Sequence, residues 1–210
     1  MLKTDRTCVM NMENAIRGAR NPMNSWAKSD SYFDENGRFV LGENDLKLAR
    51  GLCAAGSDER KFIRQIFVSV DITAPLYWWK EFDTYKVGTV SNSTSTMHKL
   101  HAKPIEVSDF STDRMTAESL EKFRAYLSYL EQVRLRFLET GDKLWWDDLI
   151  QLLPSSYNQL RTVTMNYENL TNMHSARKHH KLAEWRAFCR WIETLPYANE
   201  LIIKDAPDKK

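Results

Sequence analysis

The clearest strand signal in the chain lies between Phe62 and Thr73, where hydrophobic and polar residues alternate. Ile66, Val68, Val70 and Ile72 occupy every second position, which is the spacing of a strand with one buried face. We therefore expect a strand here whose even-numbered residues face a hydrophobic core.

The longest predicted element is an amphipathic helix from Thr116 to Thr140, ended by Gly141. Its hydrophobic stripe repeats at helical spacing and consists of Leu120, Phe123, Leu127, Leu130, Val133 and Phe137. Shorter helices are predicted at Met10 to Arg20, Glu43 to Ala54, Leu76 to Tyr85, Trp145 to Leu153, Tyr167 to Arg177 and Ala183 to Leu195. Helices thus outnumber strands in the predicted fold.

Three further segments complete the predicted fold. Asn36-Gly37 is a turn signal typical of a small hairpin, and Leu160 to Asn166 predicts a short second strand. Residues 87–97 are rich in hydroxyls and predict an exposed loop or a binding loop. We expect one α+β domain over residues 1–210, a mixed α/β fold with a central antiparallel-rich sheet, flanking long helices and a disordered tail at 204–210.

The composition narrows the class of protein. A net charge of +2 gives no global field for nucleic acid, and the basic run at 177–181 lacks interleaved aromatics. No apolar run approaches the ~18 residues that a membrane span needs. Cys8, Cys53 and Cys189 form no CxxC pair, so we expect three buried thiols in a reducing cytoplasm.

Metal binding is not expected from the histidines. His179 and His180 are adjacent and point apart on a helix, and no carboxylate or thiol stands at a matching spacing from His174. Trp78, Trp79 and Phe82 predict core packing, with a flavin-facing aromatic surface as the alternative.

Three stretches in order resemble the flavin-dependent thymidylate synthases. The first, Phe62 to Leu100, has a strand, an Ala-Pro turn, an aromatic helix and a polar loop. The second, Leu153 to Leu170, has the dipeptide LP and a strand that ends in TMN. The third, Asn172 to Trp185, has an arginine in the middle of a helix and the dipeptide EW. AIRGAR near the N-terminus is similar to the AxRAAR-type helix of the family. The resemblance spans roughly Asn14 to Ile203, and it implies the family's fold.

The signature loop of the family, RHRxxSxxxxSxRY, is altered in this chain. Aligned without gaps, Thr84-Tyr85-Lys86 stands in place of RHR, Thr94 in place of the second serine, and Thr96-Met97 in place of the final Arg-Tyr. Most of the loop's cationic groups are therefore neutral here, and Lys86 is the one that remains.

The other motifs are partly kept. Asn166 is retained in the TMN element and Arg177 matches the mid-helix arginine, with one extra residue before Trp185. Glu168 stands in place of the arginine of the family's T-[MV]-N-A-R element, and Ile150 stands in place of an arginine that the family uses on the nucleotide.

The resemblance implies methylation of dUMP with FAD, using methylenetetrahydrofolate and NADPH, in a homotetramer with shared sites. The implied FAD contacts are Tyr85, Lys86, Asn166 and Asn172. The implied nucleotide contacts are Glu81, Ser93, Thr94, Ser95, Thr96 and Arg177.

Each of these residues also has a purely structural interpretation. Lys86 is then a solvated lysine near a helix end, Asn166 a helix cap, Arg177 a partner of Glu184, and residues 91–96 a polar loop. The lost arginines favour a second hypothesis, a nucleotide- or flavin-binding homologue that has lost or changed the synthase chemistry. A related enzyme acting on a different nucleotide is a third.

Overall fold

A computed structural model of the protein describes residues 1–203, so the predicted disordered tail at 204–210 lies outside the described residues. The strands are β1 (Lys3–Met10), β2 (Tyr32–Phe33), β3 (Phe39–Val40), β4 (Phe67–Pro75), β5 (Val90–Ser93) and β6 (Asn158–Asn166). The helices are α1 (Met12–Ala19), α2 (Glu43–Ala55), α3 (Leu76–Phe82), α4 (Ala117–Thr140), α5 (Lys143–Gln151), α6 (Tyr167–Arg177), α7 (Ala183–Glu193) and α8 (Ala198–Leu201). None of the helices in residues 1–203 is both long and apolar enough to cross a membrane.

Four strands form the main sheet, in the order β1-β4-β6-β5. At one end of the β4 and β6 pair, the Tyr167 N–H donates to the Ile66 carbonyl, and at the other the Leu76 N–H donates to the Tyr157 carbonyl. As β4 runs forward from residue 66 to residue 76, its hydrogen-bond partner on β6 moves back from residue 167 to residue 157. The two central strands are therefore antiparallel. The predicted mixed α/β fold with an antiparallel sheet is confirmed.

The predicted strand at Phe62 to Thr73 is correct in its second half only. Val68, Val70 and Ile72 are buried as the alternation requires, but residues Glu59–Gln65 form a 3₁₀ helix. Phe62 and Ile63 are both buried although they are adjacent, and neighbours on a strand point to opposite faces. A helical turn buries both, so the strand begins only at Phe67.

The chain divides into two compact units, and β1, β4, β5 and β6 each have residues in both. The first unit contains residues 1–4, 71–84 and 91–162. Its core lies around α4 and α5 and consists of Leu100, Phe110, Leu127, Leu130, Val133 and Leu149. Thr116 caps α4 by accepting the Ser119 N–H, and Gly141 ends it at a φ of 67°, so the predicted helix is confirmed with its boundaries.

The first unit also buries the aromatic cluster of α3. Trp78, Trp79 and Phe82 are at most 3% exposed, which confirms the core interpretation of these residues. The Trp79 Nε1–H donates to the Gln159 carbonyl at 3.1 Å, and the Arg161 guanidinium lies 4.2 Å from the centre of the same indole.

The second unit contains residues 5–70, 85–90 and 163–203. Its largest fully buried side chains include Tyr167, Trp185, Phe188, Ile63 and Ile16. The predicted hairpin is present, with Tyr32 paired to Val40 in antiparallel register and Gly37 at a φ of 71°.

The prediction of three buried thiols is wrong for two of them. Cys189 is buried, but Cys53 is half-buried and Cys8 is exposed. Cys8 lies on β1, an edge strand whose side chains are mostly exposed, so its thiol has little to pack against. Burial raises the pKa of the Cys189 thiol to about 11, which keeps it protonated and unreactive near neutral pH.

Candidate functional site

Two asparagines fix the start of α6. The Asn166 side chain accepts the Asn169 N–H at 2.9 Å, and the Asn169 side chain accepts the Asn166 N–H at 3.0 Å. This reciprocal pair is a capping box, which satisfies backbone donors that the first helical turn leaves without partners. The predicted capping role of Asn166 is therefore confirmed.

The loop at residues 85–89 lies against this cap. The Asn169 Nδ2 donates to the Val87 carbonyl at 2.7 Å, and the Thr89 hydroxyl donates to the Tyr85 carbonyl, closing the loop on itself. Gly88 has a φ of 76°, and a Cβ there would stand 3.0 Å from Asn166 Nδ2 and Asn169 Oδ1. Glycine has no Cβ, so it adopts this positive φ without strain and avoids the close contact with the two amides.

We expect Gly88→Ala to destabilise the protein by about 1–2 kcal/mol from backbone strain alone, and further because the locked amides cannot move away. Urea unfolding measures this loss. Gly37→Ala is the matched control, since its φ is 71° but nothing lies within 4 Å of the added Cβ. Equal losses in the two variants would show that the loop does not press on the cap.

An organised arginine lies at the other end of α6. The Arg177 Nε–H donates to the Tyr85 hydroxyl at 3.0 Å, and its guanidinium carbon lies 4.8 Å from the Trp185 ring centre and 5.7 Å from that of Tyr85. The position in the last turn of the helix suits a cation, because the carbonyl end of a helix is negative. The aromatic rings and the hydroxyl hold the guanidinium in one orientation.

The turn after α6 supports the same cluster. The His180 N–H donates to the Arg177 carbonyl at 2.9 Å, and the His180 ring lies 6.4 Å from that of Trp185. Arg186 donates to the carbonyls of His180 and Lys181, which fixes the path of the turn. We name the group of Tyr85, Arg177, His180 and Trp185 the arginine cluster.

The other predicted cofactor contacts lie at different places in this unit. Eleven residues advance a helix by three turns and about 20°, so Arg177 follows Asn166 on nearly the same side, whereas Asn172 points about 120° away. Asn172 and Lys86 are both exposed. The proposed alternative partner of Arg177, Glu184, is buried at the start of α7.

Glu168, where the resemblance implies an arginine, has a partner of opposite charge. Arg60 binds its carboxylate with two hydrogen bonds, of 2.7 and 2.9 Å, and both side chains are nearly buried. The hydrogen bonds that Arg60 donates to Glu168 raise the pKa of Arg60 above its ordinary value. The charge at this point of α6 is therefore neutralised within the protein.

The predicted nucleotide contacts Glu81, Ser93, Thr94, Ser95 and Thr96 belong to the first unit. The prediction of a loop is wrong for Val90–Ser93, which form β5 because they pair with β6. The Thr94 N–H donates to the Leu160 carbonyl at 2.9 Å, and the Ser95 hydroxyl accepts the His98 N–H. Glu81 is half-buried on α3.

Sequence reasoning missed Asn169 and Gly88. Asn169 stands three residues after a predicted cap, which is the spacing of a capping box, so its role was detectable. No local pattern marks Gly88, because the requirement for a glycine there follows from its contact with residues about 80 positions away. Among residues 1–203, no three His, Cys, Asp or Glu side chains are grouped so that they could hold a metal ion.

Proteins of known structure share this fold. No protein-family model and no curated protein matches the sequence. Solved structures do match, among them Thymidylate Synthase X (ThyX) from Helicobacter pylori with FAD and dUMP, with a TM-score of 0.70 at 17% identity over 96% of this chain and 97% of that chain. The UMP/dUMP methylase PolB from Streptomyces cacaoi, bound with 5-Br dUMP, has a TM-score of 0.66 at 13% identity over 96% and 94% of the two chains. The resemblance predicted from sequence is thus confirmed at the level of the fold.

Proposed function

We propose that this chain binds a pyrimidine nucleotide through the arginine cluster and methylates it in an FAD-dependent reaction, with dUMP as substrate. The observation that carries the proposal is the guanidinium of Arg177, which the Tyr85 hydroxyl and two aromatic rings hold in place before any ligand arrives. A preorganised guanidinium binds a phosphate or a uracil carbonyl without a further cost of ordering its side chain. The fold shared with two nucleotide-binding methylases supports the same ligand.

FAD requires cations or N–H donors for its pyrophosphate and polar groups for its rings. Lys86 supplies an exposed ammonium on the loop at residues 85–89, and Asn172 supplies an exposed amide on α6. These two residues fit the group and would hold it. Reduced FAD, when bound, would supply the hydride that converts the methylene group donated by methylenetetrahydrofolate into the methyl group of the product. The proposal includes NADPH as the reductant and assembly into a homotetramer.

One observation favours a second candidate, a nucleotide-binding homologue without methylase activity. The Arg60 and Glu168 ion pair places a neutralised carboxylate at the start of α6, where the resemblance implies an arginine. The cap residues Asn166 and Asn169 also use their side chains to bind one another and the loop. A flavin phosphate would then have only Lys86 as its cation among the predicted cofactor contacts.

Isothermal titration with FAD, followed by dUMP in its presence, tests both candidates. Saturable binding of both supports the methylase, and a yellow purified protein gives the same indication for the flavin. Binding of dUMP without FAD supports the nucleotide-binding homologue. Binding of neither, by protein shown to be folded and of measured molar mass, contradicts both.

A further inference from the structure

A cavity of about 410 Å³ opens in the second unit beside α1 and the hairpin of β2 and β3. Four of its ten lining residues are aromatic, namely Trp26, Tyr32, Phe33 and Phe39, and five are polar or charged, among them Glu13 and Arg17. We name this the aromatic cavity. A cavity of this size that combines aromatic rings with polar groups has the dimensions of a site for a small ligand.

The aromatic side chains of this cavity are unusually exposed. Trp26 is 49%, Tyr32 57% and Phe33 55% exposed. Large rings left in water lose the free energy that burial would give them, so three of them around one opening indicate a surface that binds something. Flat rings with exposed faces are suited to stacking against another ring.

These rings are held in place by the protein itself. The Trp26 Nε1–H donates to Asn21 Oδ1 at 2.9 Å, and Phe33 packs against Phe39 with ring centres 5.4 Å apart. Residues 29–31, between Trp26 and the hairpin, donate four hydrogen bonds to one buried carboxylate oxygen of Asp45. The cavity therefore has a defined shape before a ligand binds.

Glu13, Arg17 and Arg20 are the charged residues that line the cavity, and Arg17 is the cation that faces an incoming anion there. The guanidinium of Arg20, which also lines the cavity, donates hydrogen bonds to Asp45 and to the carbonyls of Ser25 and Lys28. Arg17 is exposed and makes one hydrogen bond, from Nη2 to Asn14 Oδ1 at 3.2 Å, among those that the described residues form. A guanidinium has five N–H donors, so most of its capacity is available for an anion.

We propose that the aromatic cavity is a second nucleotide site, which takes a purine base against Trp26 and the hairpin rings and a phosphate against Arg17. The stacking faces and the Arg17 guanidinium match the two chemical parts of a nucleoside monophosphate, and the volume accommodates a bicyclic base. The inference does not rest on nucleotide binding by the arginine cluster, since the two groups share no residue.

The test is titration of AMP and of adenosine into the Arg177→Ala protein, so that the arginine cluster contributes nothing. We expect saturable AMP binding that Trp26→Ala weakens about tenfold, since stacking on one aromatic side chain is commonly worth that much. Arg17→Gln weakens AMP but leaves adenosine unchanged, because adenosine has no phosphate. Tyr129→Ala, at an aromatic residue of α4 that is 50% exposed, is the matched control and changes neither affinity.

Two results would overturn the inference. One is the absence of saturable AMP and adenosine binding by protein whose circular dichroism shows it to be folded. The other is a fall in molar mass in solution with Trp26→Ala, at unchanged AMP affinity, which would show that these rings lie between two copies of the chain.

Discussion

Asp45→Asn is expected to destabilise the protein by about 3–5 kcal/mol, the usual consequence of removing one partner of a buried ion pair. The Asp45 side chain is fully buried and Arg20 is 4% exposed, with 2.5 Å between Asp45 Oδ1 and Arg20 Nε. The substitution keeps the shape of the side chain but leaves the Arg20 guanidinium charged, buried and without its counter-ion. Urea unfolding at neutral pH measures the change.

The carboxylate also joins α2 to the segment that precedes the hairpin. Its second oxygen accepts the hydroxyls of Ser29 and Ser31 and two backbone N–H groups, so one residue of α2 fixes the segment that leads into the hairpin. An amide accepts these bonds less strongly than a carboxylate. The expected loss therefore exceeds that of an ordinary hydrogen bond, about 1 kcal/mol.

Glu43→Gln is the matched control, because Glu43 is an exposed acid in the same first turn of α2. Its stability should stay within about 0.5 kcal/mol of the wild type. If Asp45→Asn were as stable as Glu43→Gln, the buried pair would contribute nothing.

Acid should remove the same stabilisation. Burial alone would raise the pKa of Asp45, but hydrogen bonds from Ser31, Ser29 and Arg20, together with the charge of Arg20, lower it below its ordinary value of 3.8. A group whose pKa is lower in the folded state stabilises the fold fully above its unfolded pKa and loses that contribution as the pH falls through the folded value. The free energy of unfolding should therefore fall less steeply below pH 4 in Asp45→Asn than in the wild type.

Sequence patterns predicted the elements whose structure depends on residues close together in the chain. The alternation at Val68, Val70 and Ile72 and the cap at Asn166 are visible within a few residues, and both are confirmed. β1 was not predicted because its side chains are mostly exposed, so no alternation marks it, and it is a strand only because β4 pairs with it.

The candidate site was predicted only residue by residue. Arg177 and Tyr85 both stood out from the resemblance, but their contact joins positions 92 residues apart, and no spacing rule reaches that far. Asp45 shows the same limit, since an acid in the first turn of a helix ordinarily indicates a solvated group that favours the helix dipole. Its burial depends on Ser29, Ser31 and Arg20, which come from other segments.

Arg177→Ala is expected to weaken dUMP binding ten- to a hundredfold if the proposed function holds. Hydrogen bonds to a charged group contribute about 1.5–3 kcal/mol, and each 1.4 kcal/mol is a factor of ten in affinity. The fold should survive, because the Arg177 side chain is only half-buried. Isothermal titration of dUMP measures the loss.

Arg177→Lys and Tyr85→Phe separate charge from geometry. Lysine keeps the charge, but it has neither a planar group to stack on Trp185 nor a fork of N–H donors. It should therefore recover little of the lost affinity. Tyr85→Phe keeps the ring and removes only the hydroxyl that accepts the Arg177 Nε–H, so a smaller, severalfold loss is expected. Arg124→Ala, at an exposed arginine of α4, is the control for a general loss of positive charge. Unchanged dUMP affinity in Arg177→Ala would remove the arginine cluster from the nucleotide site, while full recovery in Arg177→Lys would show that charge alone, and not the aromatic support, binds the nucleotide.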